Sequence, residues 1–123
     1  MKVTYQQLIQ ATATGALTRF FSCTLAIKAW KSNRKTAAVC DEELKIFQTK
    51  RDELIQKHQG IPNTNSSIDF PTADAAKAFE TEWNALVAEE IDIPGEPVKL
   101  DDILSGELQQ VDFANLAPFL GDE

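Results

Sequence analysis

The chain has little of what most catalytic sites are made from. It holds one histidine, His58, which excludes any metal or acid–base arrangement that needs two imidazoles. Its two cysteines, Cys23 and Cys40, are too few for a disulfide framework. No phosphate-binding glycine loop, Gly-x-Ser-x-Gly elbow, calcium loop or Glu-x-x-His pattern occurs. No apolar run approaches the roughly 18 residues of a membrane-spanning helix. The opening MKVTYQQLIQ lacks a signal-type apolar stretch, so a cytoplasmic location is expected. These gaps point to a non-enzymatic protein with no cofactor and no metal, working by contact.

What is present reads as one globular domain over 1–123. Hydrophobic residues make up 43% and charged residues 25%, too apolar for a disordered chain. The net charge of −7 is unevenly spread. Residues 1–57 carry ten Lys/Arg against five acids, and residues 58–123 two Lys against fourteen acids. Either the acidic half folds onto the basic one, or it offers an acidic surface to a basic partner. Phosphates would be repelled by that half, so direct nucleic-acid binding is not expected.

Periodicity sets the fold class as mainly α with a minor two-stranded antiparallel β element. Thr4 and Gln7 make a capping-box pattern for a first helix with an apolar face at Leu8, Ile9, Ala13, Ala16, Leu17 and Phe20. Gly15 predicts a bend or stop before Ser22. From Thr24 to His58 there is no Pro or Gly. A seam at Trp30, Asn33, Ala37, Cys40, Leu44, Phe47, Arg51, Leu54 and His58 steps by three and four, the spacing of a long amphipathic helix. Its first part should pack on the first helix and its second part on the C-terminal half. Cys23 and Cys40 would then lie on this one helix, about 25 Å apart and beyond disulfide reach. A helix of that length exceeds what a domain this size can cover, so part of it should project or meet a second copy. Gly60 and Pro62 supply the stop.

Ser67–Phe70 alternates like a short strand, expected to pair with Ile91–Ile93. Between them Thr72 opens a third helix with Ala76, Phe79, Trp83, Leu86 and Val87 on one face, ending near Glu90. The acidic half thus reads as βαβ-like. Asp101–Gly106 suggests a helical turn, and Asp112 the cap of a last short helix kept brief by Pro118. The expected core comprises Leu44, Phe47, Leu54, Phe79, Trp83, Leu86, Val98, Leu100, Ile103, Leu116 and Phe119.

Three features merit weighing as sites. His58, at a helix end, reads as a satisfied terminal histidine. The carboxylate pairs Glu80/Glu82, Glu89/Glu90 and Asp101/Asp102 read as solvated faces. The basic run Lys28, Lys31, Arg34, Lys35 with Trp30 inside it could stack on and neutralise nucleic acid. Against that stand the acidic total and the place of Trp30 on the buried seam. The candidate interaction residues are therefore Lys28, Lys31 and Lys35 on the helix, and Glu89, Glu90, Asp92 and Glu96 in the acidic half.

The order of segments resembles a family of small tailed-bacteriophage proteins of unknown function. The pieces that carry it are MKVTYQQLIQ, EELKIFQTKRDELIQKHQG, FETEWNALVAEEIDIP, EPVKLDDIL and DFANLAPFL. The stretch FFSCTLAIKAWKSNRKTA departs from the pattern in being more aromatic and basic. The resemblance implies a phage-encoded accessory protein in the host cytoplasm or the virion, and brings no catalytic residues. It points to a virion structural or assembly component that contacts other phage proteins or itself as a homo-oligomer. The alternative is an acidic anti-defence inhibitor of a basic host protein.

Overall fold

Thr4 is extended, and its hydroxyl accepts the Gln7 N–H at 3.1 Å while the Gln7 side chain accepts the Thr4 N–H at 2.9 Å. This reciprocal cap joins a strand, β1 (Lys2–Thr4), to helix α1 (Tyr5–Ala13). The structure is a computed structural model and describes residues 1–63 and 67–121. Gly15 sits at φ +79 and breaks the helix sooner than the pattern suggests, starting a separate α2 (Ala16–Phe21). Tyr5, Leu8, Ala11, Ala16, Leu17 and Phe20 are buried, whereas Ala13 is exposed.

A short strand, β2 (Thr24–Leu25), precedes the long helix α3 (Ile27–Lys57). Cys23 thus lies before α3 and not on it, which removes the helical-rise argument for a large separation. Both cysteines are free and buried in the same aliphatic core. The buried stripe of α3 is Asn33, Thr36, Cys40, Phe47 and Ile55. Leu44, Leu54 and His58 flank it half-buried, and Trp30 falls outside it at 44% exposed. α3 closes with Gln59, not Gly60, in the left-handed region at φ 58. The Gly60 N–H then reaches the Ile55 carbonyl at 2.8 Å, the helix-closing bond of such an end. Gly60 serves instead by its size, since a Cβ there would meet Ile68 and Phe70.

Next come β3 (Ile61–Pro62), β4 (Ile68–Asp69) and α4 (Ala73–Val87), whose N-cap Thr72 accepts the Ala75 N–H at 3.1 Å. α4 ends before Glu90. Then follow β5 (Glu90–Asp92), β6 (Val98–Lys99), β7 (Ile103–Ser105), α5 (Gln110–Asn115) and β8 (Leu120–Gly121). The molecule is mainly helical with a minor β component, and its strands form four two-stranded ladders among the described residues.

The pairing differs from the sequence pattern. β5 pairs antiparallel with β1, in register Lys2↔Asp92 and Thr4↔Glu90, and not with β4. β4 closes a local hairpin with β3, so the strands on either side of α4 belong to different ladders. The expected helical turn at 101–106 is a 3₁₀ turn at Leu100–Asp102 that runs into β7. β7 pairs antiparallel with β2, and β6 pairs parallel with β8. Strands this short have no periodicity to read, so their partners are set by packing.

Two clusters form the core. The aliphatic one joins α1, α2, Cys23, Leu25, Cys40 and Ile93 to Val98, Leu116 and Phe119. The other holds Tyr5, Phe47 and Leu86, with Leu54 and Trp83 packed against it. Its rings continue outward: Tyr5–Phe47 5.2 Å, Phe47–Trp83 5.4 Å, Phe79–Trp83 6.0 Å and Phe70–Phe79 4.9 Å between centroids. Of the expected core, Phe47, Leu86, Val98, Leu116 and Phe119 are buried. Leu44, Leu54, Phe79, Trp83 and Ile103 are half-buried, and Leu100 is exposed. α3 packs on both α1 and α2, and its first part also holds the bend after β5. There Thr36 donates to the Pro94 carbonyl at 3.0 Å, and Ser32 Oγ accepts the Glu96 N–H at 2.9 Å. Gly95, at φ +105, passes directly over Thr36.

Candidate interaction surface

The titratable groups with unusual surroundings are tied into the fold. Arg19 grips Asp112 with two hydrogen bonds, Nε at 2.8 Å and Nη2 at 2.6 Å, and Asp112 also accepts the Gln109 N–H at 2.9 Å. Asp112 is fully buried. The Arg19 bonds, then that backbone bond, hold its carboxyl down to about 2. It is therefore the third residue of α5 and not its cap; Gln109 takes the cap position. Tyr5 donates to Glu43 at 2.8 Å, and burial followed by that bond raises its phenol.

His58 lies at the end of α3, half-buried, with its ring edge-on to Phe79. It bonds Glu82, which also accepts from Lys57 Nζ at 2.6 Å. Those bonds, His58 first, hold the Glu82 carboxyl below its usual range. This node fastens α3 to α4 beside an open groove of about 410 Å³ lined by Lys50, Leu54, Glu82 and Glu89. No cysteine borders it. Burial, then Asp41 and Glu43, pushes the Cys40 thiol up to about 12, and burial also raises Cys23. Neither thiol has the anionic character a nucleophile needs. No group of three metal-ligating side chains occurs among the described residues.

Three Lys/Arg ion pairs form among the described residues: Arg19–Asp112, Lys50–Glu89 and Lys57–Glu82. Each joins the basic half to the acidic half, so the charge asymmetry is partly spent inside the molecule. The N-terminal part of α3 takes no share. Lys28, Lys31, Arg34 and Lys35 are all exposed, and none forms an ion pair among the described residues. No acid occurs between Ile27 and Cys40. Arg34 lies 4.8 Å over the Trp30 ring, and Ile27 is 72% exposed at the helix start. The indole expected on the buried seam thus belongs to this basic face.

The candidate residues divide among four places. Lys31 and Lys35 border a shallow concavity with Arg34 and Ala38. Lys28 shares a second groove with Glu96, Lys99 and Asp102, where charges of both signs meet. Glu89 sits by Lys50, 3.7 Å away, at the other end of α3. Glu90 and Asp92 are exposed on β5, opposite Thr4 and Lys2, while Ile91 between them packs inward. The four acids are neighbours in sequence but do not make one surface. No family model, no curated protein and no solved structure matches the chain.

Proposed function

We propose that the protein is a bacteriophage accessory component, structural or assembly-related, that works by protein–protein contact through the solvent face of α3, without catalysis. The observation that carries this reading is that face itself. Its N-terminal third presents four cations with no ion-pair partner among the described residues, together with exposed Trp30 and Ile27. Exposed aromatic and arginine side chains are the groups most often central to protein contacts. The segment resemblance to small tailed-phage proteins supplies the biological setting. The alternative, an acidic inhibitor of a basic host protein, rests on Glu90, since Glu89, Asp92 and Glu96 lie beside lysines.

Mass spectrometry of gradient-purified virions, quantified against the major capsid protein, tests the proposal. A fixed copy number supports a particle component. Absence from particles, with a basic host protein captured in a salt-sensitive manner, favours the inhibitor.

A further inference from the structure

The solvent face of α3 carries charges of both signs in a self-complementary order. At 3.6 residues per turn, residues 18 apart lie on the same line of a helix, five turns on. Arg34 and Asp52 are such a pair, as are Lys35 and Glu53, and all four are exposed. None of the four forms an ion pair among the described residues. The two lines flank a central stripe that includes Lys31, Ala38, Lys45 and Thr49, also exposed.

In an antiparallel pair of helices related by a two-fold axis, each flank faces its own copy. Residues at equal distances on either side of the axis stand at the same level. The midpoint of Arg34 and Asp52 is Glu43, and that of Lys35 and Glu53 is Leu44. An axis midway between these two positions brings Arg34 to Asp52 and Lys35 to Glu53, twice each, to within about one residue's rise of 1.5 Å. The same position brings Glu42 of one copy and Lys45 of the other to one level beside the axis. The small Ala38 and Thr49 then face each other on the central stripe, where they allow close approach.

From this register we infer that the partner of the α3 face is a second copy of the chain, bound antiparallel about a two-fold axis near residues 43–44. A two-fold contact uses one patch against itself, as this order of charges requires. A parallel pair would instead bring the two flanks together, setting Arg34 near Lys35 and Asp52 near Glu53 of the other copy, and repel. Exposed ion pairs contribute modestly and are screened by salt, so the dimer is concentration-dependent and weakened by salt. This inference deepens the proposed contact role and rests on it only for biological meaning. The solution behaviour of the isolated chain and its presence in virions are separate readouts.

Sedimentation velocity over a concentration series, at low and high salt, is the test. Two charge-reversed variants, Arg34→Glu/Lys35→Glu and Asp52→Lys/Glu53→Lys, are compared with the parent, with helicity and thermal melting as fold checks. The parent is expected to dimerise, and each variant alone to raise the dimer Kd about tenfold or more. An equimolar mixture of the two variants should recover the parent's dimer, because each then meets its opposite. A parent that stays monomeric overturns the inference, as do variants that dimerise as well as the parent or a mixture that fails to recover. A monomer that binds a single-stranded oligonucleotide through Lys31, Arg34 and Lys35 would assign the face to an anionic polymer instead.

Discussion

Near Lys57, α3 is fastened to α4 by a relay of rings from Phe47 to Phe70 and by Lys57 and His58 converging on Glu82. From Ile27 to Val39 only the inner face of the same helix is covered, by aliphatic side chains and by the bend that Ser32 and Thr36 hold. At one end Lys50 and Lys57 are spent on intramolecular partners; at the other, Lys28, Lys31, Arg34 and Lys35 form no ion pair among the described residues. An aromatic residue on the covered end is structural, and one on the open end is available. The difference shows that a single amphipathic helix can serve as scaffold along its inner stripe and as contact surface along its outer one.

The strongest way to break this comparison is to truncate one ring at each end. Phe47→Ala should cost about 3–5 kcal/mol in urea unfolding, and Trp30→Ala should stay within about 0.5 kcal/mol. Equal losses would mean that the open end is structural too. Gly95→Ala probes the cover of the inner face. It forces a left-handed residue onto Thr36, and its cost should be about 1–3 kcal/mol by the same measurement. Asp112→Asn tests the charge buried where α5 meets Arg19 of α2. Since folding lowers this carboxyl to about 2, its contribution is complete above the free-carboxylate range and is lost as pH falls towards 2. The parent's melting temperature should therefore drop more steeply over pH 4 to 2 than that of Asp112→Asn, which starts lower at neutral pH. The smallest effect belongs to Glu82→Gln, a slight fall in melting temperature at neutral pH that high salt removes.

Local signals were legible where they act within a few residues. Thr4 with Gln7, Thr72, and the three-and-four spacing around Asn33, Cys40 and Phe47 all describe the elements they belong to. The spacing failed at Trp30, because periodicity says which residues share a side but not how far a neighbouring element extends over it. Asp112 looked like a cap because its partner, Arg19, is 93 residues away. Cys23 looked helical because β2 is two residues long and its partner, β7, lies near residue 104. The candidate surface was half legible for the same reason. Lys31 and Lys35 share a side by helical geometry alone. Glu89 and Glu96 are neighbours only along the chain.

The β1–β5 ladder joins residue 2 to residue 92, and this has a consequence for synthesis. A ribosome that has made β1 must add α1, α2, α3 and α4 before a partner strand exists, while each helix can form as it emerges. Closure of this clasp is then a late event, and folding is slower than for a bundle whose contacts are all local. A product released short of residue 90 would lack the strand that pairs with Val3 and the Glu89 carbonyl that receives the Tyr5 N–H. Its first helix would have no edge to close against, which makes such a fragment a substrate for proteases.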